Sequence, residues 1–392
     1  MADDLASLVA SGAGATSPPA PPVDKPIATL PTEDGSTITV TGGNLKAAKA
    51  DLEQCLRDHC PPKEDIQRSL TYAELQFIAG DYPGSHRTLT NSRSRNARYA
   101  AELPVEVAGL HRAVGRVTRL NGLETSPVAS FADAVYALRA GLPRNAPSIW
   151  EQRLEVGDAL AREGRAYGAL QHYSWVAHGA EKAGMTDVLG MALVRTAILT
   201  NAIAADNPPW RQRAQESIDT ILRRTEPAMR PYRNVARTIP IQLVPEKDRP
   251  AMIDKVVAEL EGDGDHQSLV YMPNIYPRDL PQGAPVTDNG PAFVDISFRV
   301  MPDGHVADIE PVNLTAATRP AWVDVVTKAM GERRYTKLQK PTHPDGTLRL
   351  ERYTFISRQK TLNGSRIASR TADRQISRLD LTAAVDPVAA KR

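Results

Sequence analysis

The spacing of apolar residues along the chain changes character near residue 268. Between residues 44 and 225, apolar side chains recur at intervals of three, four and seven, the period that places them on one face of an α-helix. Gly and Pro residues separate these segments and predict the turns between helices. Clear examples of the helical spacing are Leu70, Ala73, Phe77 and Ile78, and Val107, Leu110, Val114 and Val117.

Two of the helical segments are similar to each other. Residues Tyr72–Tyr82 and Gly157–Tyr173 both place small residues in one helix, then a Gly turn, then an aromatic residue and a second helix. Both resemble the tetratricopeptide repeat, in which small residues allow close helix packing. The resemblance predicts a helical repeat array over 44–225, and an irregular helical bundle is the alternative.

The segments on either side of the helical region read as linkers. Residues 1–43 form a Pro-rich leader, with Ser17–Pro22 expected to be extended and a short strand expected at 36–41. Residues 226–267 form a connector, in which we expect an extended piece at 235–243 and a short helix at 251–261.

Alternation of apolar and polar residues begins after the connector and predicts strands. Phe293–Val300 places Val294 and every second residue after it on one face, and Asp295, Ser297 and Arg299 on the other. The sequence then predicts a turn at 301–304 with Gly304 at a positive φ, a return strand at 306–312, a helix at 320–331 and a third strand at 348–356.

The order of these elements over 268–357 resembles the TonB C-terminal domain family. The matching segments are Pro273–Pro277, Val294–Val300, Pro302–Gly304, the helix at 320–331, Arg334–Leu338 and Arg352–Ile356. The resemblance implies a periplasmic protein of the bacterial envelope, with an outer-membrane TonB-dependent transporter as the partner. In that family the domain adds a strand from the transporter's peptide.

Strand addition needs an exposed strand edge, because unpaired backbone groups recruit the partner. We expect that edge on the third strand. The partner-binding residues expected there are Arg349, Glu351, Tyr353 and Phe355. The alternative is that the tail of the chain covers the edge.

The tail, 358–392, is basic, and its arginines at 366, 370, 374 and 378 recur every four residues. A helix would present them as one stripe, suited to peripheral contact with a membrane or the cell wall. An extended tail would instead supply a fourth strand at 376–381. A solvated tail is the third alternative.

The two cysteines bear on the cellular compartment. Pro61 and Pro62 end a helix just after Cys60, so the chain can turn back towards Cys55. A disulfide between Cys55 and Cys60 would indicate an oxidising compartment, and the alternative is a pair of buried thiols.

Composition excludes several classes of function. The 48 Lys and Arg nearly balance the 46 Asp and Glu, so the chain is not a nucleic-acid binder of the strongly basic kind. No run approaches the roughly 20 apolar residues of a membrane span. No nucleophile, metal or cofactor motif is present, and the four tryptophans lie in apolar segments that predict core packing.

The sequence therefore predicts a helical, TPR-like repeat array followed by a small TonB C-terminal-like α+β domain. The predicted function is non-enzymatic protein binding, with no metal and no cofactor. Two alternatives remain: a TonB-type energy transducer whose membrane anchor is absent from this chain, and a cytoplasmic TPR regulator.

Overall fold

The computed structural model describes residues 28–31, 37–40, 45–120, 126–260, 267–275, 292–315, 318–338, 344–361 and 368–382. In these ranges a helical part is followed by a smaller part built around an antiparallel sheet, which confirms the predicted helical domain and α+β domain. The segment Ser17–Pro22 and the end of the tail, 383–392, lie outside the described residues. Near the N-terminus, strand β1 (Ala28–Pro31) pairs with β2 (Thr37–Val40), where the sequence predicted only the second strand.

Nine helices in the described part of 45–222 stack in chain order, each packed against the next. The apolar stripes of the second to the eighth helix form one continuous core, which runs from Ile66 to Leu199. The helices are α1 (Leu45–Arg57), α2 (Pro62–Ile78), α3 (Tyr82–Asn96), α4 (Pro104–Leu120), α5 (Val128–Gly141), α6 (Pro147–Arg162), α7 (Ala166–Lys182), α8 (Thr186–Asp206) and α9 (Arg211–Leu222). We call this stack the helical array.

Three helices of the array end in the same way. Gly80, Gly164 and Gly184 have φ values of 86°, 76° and 67° and follow α2, α6 and α7. After each glycine, the next backbone N–H donates to a carbonyl five residues earlier, as in a Schellman motif. The Gly turn that recurs in the sequence is thus a helix C-terminus at which a glycine with a positive φ reverses the chain.

The connector is more helical than the sequence indicates. Residues 235–243 were expected to be extended, but α10 (Arg230–Thr238) and a 3₁₀ segment (Ile239–Leu243) occupy them. The expectation is wrong because Ala236 and Ile239, three residues apart, both pack into a core shared with α8 and α9. The predicted short helix is present as α11 (Arg249–Glu259).

The C-terminal domain contains a four-stranded antiparallel sheet, in which the strands lie in the order β5 (Val306–Leu314), β4 (Ala292–Val300), β7 (Thr347–Thr361) and β8 (Ala368–Asp380). Gly304 has the predicted positive φ, 88°, in the hairpin between β4 and β5. A separate antiparallel pair joins β3 and β6. The elements are β3 (Leu269–Tyr271), β4 (Ala292–Val300), β5 (Val306–Leu314), α12 (Pro320–Gly331), β6 (Arg334–Tyr335), β7 (Thr347–Thr361) and β8 (Ala368–Asp380).

Both faces of the sheet are covered. The apolar face of β4 packs against Trp322, Val326 and Met330 of α12, as the alternation predicts. The opposite face carries Phe293, which contacts Tyr82 and Leu120 of the helical array. The polar face that the sequence suggested for β4 is therefore an interdomain surface.

One helix among the described residues, α8, is long and apolar enough to cross a membrane, contrary to the expectation that no such run exists. Most of it is buried inside the protein, where it packs against α7 and α9. A central core helix is apolar all round for the same reason.

We predict opposite effects for two Gly→Ala substitutions in the array. Gly164→Ala will lower the free energy of unfolding by about 1 kcal/mol, because an L-residue is strained at φ 76° although the space is open. Gly109→Ala, inside α4, will raise it by about 0.5–1 kcal/mol. Urea unfolding followed by circular dichroism measures both. Equal changes in the free energy of unfolding for the two variants would contradict the positive φ at Gly164.

Candidate functional site

The four residues predicted to bind a partner lie on an interior strand. β7 pairs with β4 on one side and with β8 on the other, so its edges are both used. Glu351, Tyr353 and Phe355 are buried, and Arg349 is half-buried. The edge expected for strand addition is therefore not free over 351–361, because the tail pairs with β7 there as the fourth strand, which was the alternative.

Glu351 is the centre of a buried polar cluster on this strand. It accepts hydrogen bonds from Arg333 at 2.9 Å and from the Tyr353 hydroxyl at 2.6 Å, and it pairs with Arg378 of β8 at 3.4 Å. Burial alone would raise the pKa of Glu351, but the two guanidinium groups outweigh it and hold the pKa at about 2. The cluster thus fixes the tail strand to the sheet.

A second buried ion pair lies on the opposite face of β7. Arg352 donates to both carboxylate oxygens of Asp295, at 2.6 and 2.8 Å. A third donor of the same guanidinium reaches the carbonyl oxygen of Phe77 at the end of α2, at 3.0 Å. One arginine therefore joins the sheet to the helical array.

Aromatic rings and a hydroxyl pair complete this contact. The Arg352 guanidinium lies 3.8 Å from the centre of the Phe293 ring. Tyr82, which is fully buried at the start of α3, stacks on Phe77 at 4.5 Å and places its hydroxyl 3.1 Å from that of Thr354. A Cβ at Gly80 would collide with Phe293, so this turn suits glycine for space as well as conformation. We call the set Phe77, Gly80, Tyr82, Phe293, Asp295, Arg352 and Thr354 the interdomain contact.

The other end of the array meets the C-terminal domain at a groove. Gln242 donates to the carbonyl oxygen of Met272 across this junction, at 2.9 Å. The groove is partly open to solvent, and its lining is mostly apolar. Its walls include Ile198, Ala202 and Ala205 of α8, Ile239 and Leu243 after α10, Leu269–Met272 at β3, and Arg378 of β8.

The strand β3 borders the groove with its edge. Side chains of a strand alternate between two faces, yet four consecutive residues, Leu269–Met272, all line the groove. In the described part of the chain, β3 pairs with β6 alone. Sequence reasoning missed this edge, because β3 is only three residues long and its neighbour α8 lies far away in the chain.

Cys55 and Cys60 are at disulfide distance, with Cα atoms 5.1 Å apart. The end of α1 brings them together, since the Cys60 N–H donates to the Cys55 carbonyl at 3.0 Å and His59 has a positive φ of 52°. This is the Schellman geometry, which places these two positions side by side. Elsewhere, no group of three or more His, Cys, Asp or Glu in the described ranges has the arrangement of a metal site.

Comparison of the chain with protein-family models, curated proteins and solved structures finds no match.

We predict that acid weakens the protein through Glu351. The pKa of Glu351 in the folded protein is about 2, below the ordinary glutamate value of 4.5, so the unfolded chain binds the proton more tightly. The stabilisation is complete above pH 4.5 and is lost as the pH falls towards 2.

Glu351→Gln should cost about 3–5 kcal/mol at pH 7, because two buried guanidinium groups lose their counter-charge. It should also flatten the pH dependence of the free energy of unfolding between pH 5 and 2. Urea unfolding across that range measures both effects, with the exposed Glu310→Gln as the control. An unchanged acid slope in Glu351→Gln would contradict the role of the cluster.

Proposed function

We propose that the protein is a non-enzymatic scaffold of the bacterial envelope, which holds an extended segment of a partner protein in the groove beside β3. The groove beside β3 carries this proposal, because it is mostly apolar and because β6 is the strand that pairs with β3 among the described strands. Backbone N–H and C=O groups at a strand edge hydrogen-bond to an added strand.

The groove suits an extended peptide with alternating apolar side chains. An added strand directs every second side chain to one face, here towards Ile198, Ala202 and Leu243. Leu243 is 38% exposed, which is unusual for a large aliphatic residue within a domain junction. A partner's apolar side chains would remove it from water.

The outer edge of the four-stranded sheet at β5 is less suited to pairing. Pro311 lacks a backbone N–H, and Asp308 has a positive φ of 51° next to an irregular register with β4. Prolines and bulges are common devices that prevent edge-to-edge pairing. The outer edge of β8 is the other place for an added strand, and the experiment below separates it from β3.

The envelope location and the family resemblances belong to this proposal. A disulfide at Cys55 and Cys60 supports export to an oxidising compartment. The strand, Asp-Gly hairpin, strand, helix, strand order supports a TonB C-terminal-like domain, and the repeated Gly turns support TPR-like packing of the array. We infer that the partner is a periplasmic segment of an outer-membrane transporter.

The test uses peptides selected from a library of random decapeptides displayed on phage, with the full chain as bait. We predict peptides in which apolar residues alternate with polar ones. Ala205→Trp places a large ring in the groove from an exposed position, so it should weaken binding of the selected peptides at least tenfold. Fluorescence anisotropy measures the affinity.

Two controls make the test specific. Ala258→Trp, on the exposed side of α11, should leave affinity unchanged. N-methylation of alternate peptide amides should abolish binding in one register and spare it in the other, because a strand donates through every second N–H. Equal binding to Ala205→Trp and Ala258→Trp would contradict the groove, and insensitivity to N-methylation would contradict strand addition.

A further inference from the structure

A cluster of aromatic and cationic side chains lies on the surface of the helical array, on three consecutive helices. Trp175 is 47% exposed and Tyr136 is 66% exposed, although tryptophans in apolar segments were expected to pack in the core. We call the cluster the Trp–Arg surface; its members are Tyr136 and Arg139 of α5, Trp150 and Arg153 of α6, and His172 and Trp175 of α7.

The two tryptophans form a fixed platform. Their rings stack with centroids 4.9 Å apart, and the Arg153 guanidinium lies 3.9 Å from the centre of the Trp175 ring. Gly179 makes room for this arrangement, because a Cβ there would collide with the Trp150 ring. The platform is thus held in place before any partner binds, which lowers the entropy cost of binding.

The charges of this surface are of one sign. Burial lowers the pKa of Arg153, and repulsion by the nearby Arg139 lowers it further. Burial also lowers the pKa of His172, with repulsion by Arg153 as the next cause. Within the described residues, neither Arg139 nor Arg153 has a carboxylate within ion-pair distance, whereas Arg116 of α4 pairs with Glu155 at 2.9 Å.

Two cationic groups without a counter-charge among the described residues lie beside an exposed ring at the same place. Arg153 is held against the Trp175 ring, and Arg139 is close enough to lower the pKa of Arg153 by repulsion. Nearly half of Trp175 is exposed. The surface therefore suits a partner that carries both negative charges and apolar side chains.

We propose that the Trp–Arg surface binds an acidic segment of a partner polypeptide, whose carboxylates pair with Arg139 and Arg153 and whose apolar side chains cover Trp175. Arg binds carboxylates through paired N–H donors and stacks on aromatic rings at the same time. Trp, Tyr and Arg are also the residues that contribute most to protein–protein affinity.

A short acidic segment fits better than a membrane or a nucleic acid. Asp133, one turn before Tyr136 on α5, and Glu151, next to Trp150 on α6, are both exposed. Carboxylates on the same two helices would repel a wide anionic surface. The proposal uses no residue of the groove at β3, so either proposal can fail without the other.

The test measures binding of a fluorescein-labelled acidic octapeptide, Glu-Glu-Phe-Glu-Glu-Phe-Glu-Glu, to the full chain by fluorescence anisotropy. Arg153→Gln should weaken binding about tenfold, since each lost guanidinium–carboxylate contact in a partly shielded site carries about that factor. Arg139→Gln, on an exposed position that leaves the core intact, should weaken it several-fold. Arg116→Gln removes the same charge from the neighbouring helix and should leave the affinity unchanged within twofold.

Competition identifies the class of partner. Phosphatidylglycerol vesicles and a single-stranded dodecanucleotide, at matched charge, should displace the peptide poorly. Equal weakening by Arg153→Gln and Arg116→Gln would overturn the proposal, and so would no binding of the peptide. Displacement by vesicles or by the oligonucleotide that depends on Arg153 would assign the surface to that other class.

Discussion

Burial of the polar face of the sheet against the helical array is the constraint on which the rest of the structure depends. Arg352 and Asp295 are both almost fully buried, and they pair in a bidentate arrangement beneath the turn between α2 and α3. A C-terminal domain alone would expose this pair to water and leave Phe293 uncovered. The array supplies the carbonyl oxygen of Phe77 and the ring of Tyr82. These groups exclude water from the ion pair and give Arg352 a further hydrogen-bond acceptor.

The C-terminal domain packs against two separate parts of the helical array. The chain reaches the domain after α11, yet the domain also packs back onto α2 and α3. At the groove, β3 packs against α11 and the 3₁₀ segment after α10 and lies beside α8. The candidate binding site and the interdomain contact are therefore two distinct junctions between the array and the same domain.

Local periodicity predicted the elements well and their surroundings poorly. The apolar residues of β4, the positive φ of Gly304 and the helix at 320–331 follow from spacing and turn chemistry, which act over a few residues. The burial of Asp295 does not, because its cover comes from residues more than 200 positions earlier. An alternating strand has the same pattern whether its polar face meets water or a partner domain that supplies polar groups.

The candidate sites show the same difference between local contacts and tertiary contacts. Cys55 and Cys60 were predictable, since one local turn brings them together. The edge of β7 was predicted to be free, but a strand's edge is settled by which other segment pairs with it, here β8. Trp175 lies in an apolar segment, yet it stacks on Trp150 of another helix at the surface of the array. Tertiary neighbours, which periodicity does not contain, decided the cases of β7 and Trp175.

The central claim is that array and sheet are stabilised together through the interdomain contact. Hydrogen exchange of Tyr82→Phe tests it most directly, because the change removes one hydroxyl from the array and nothing from the sheet. We predict faster exchange, by about five- to tenfold, in β4 and β7 as well as at residues 77–82. Tyr173→Phe, which loses a buried bond to Asp158 inside the array, is the control and should leave β4 and β7 unchanged. Faster exchange confined to residues 77–82 in Tyr82→Phe would contradict the account.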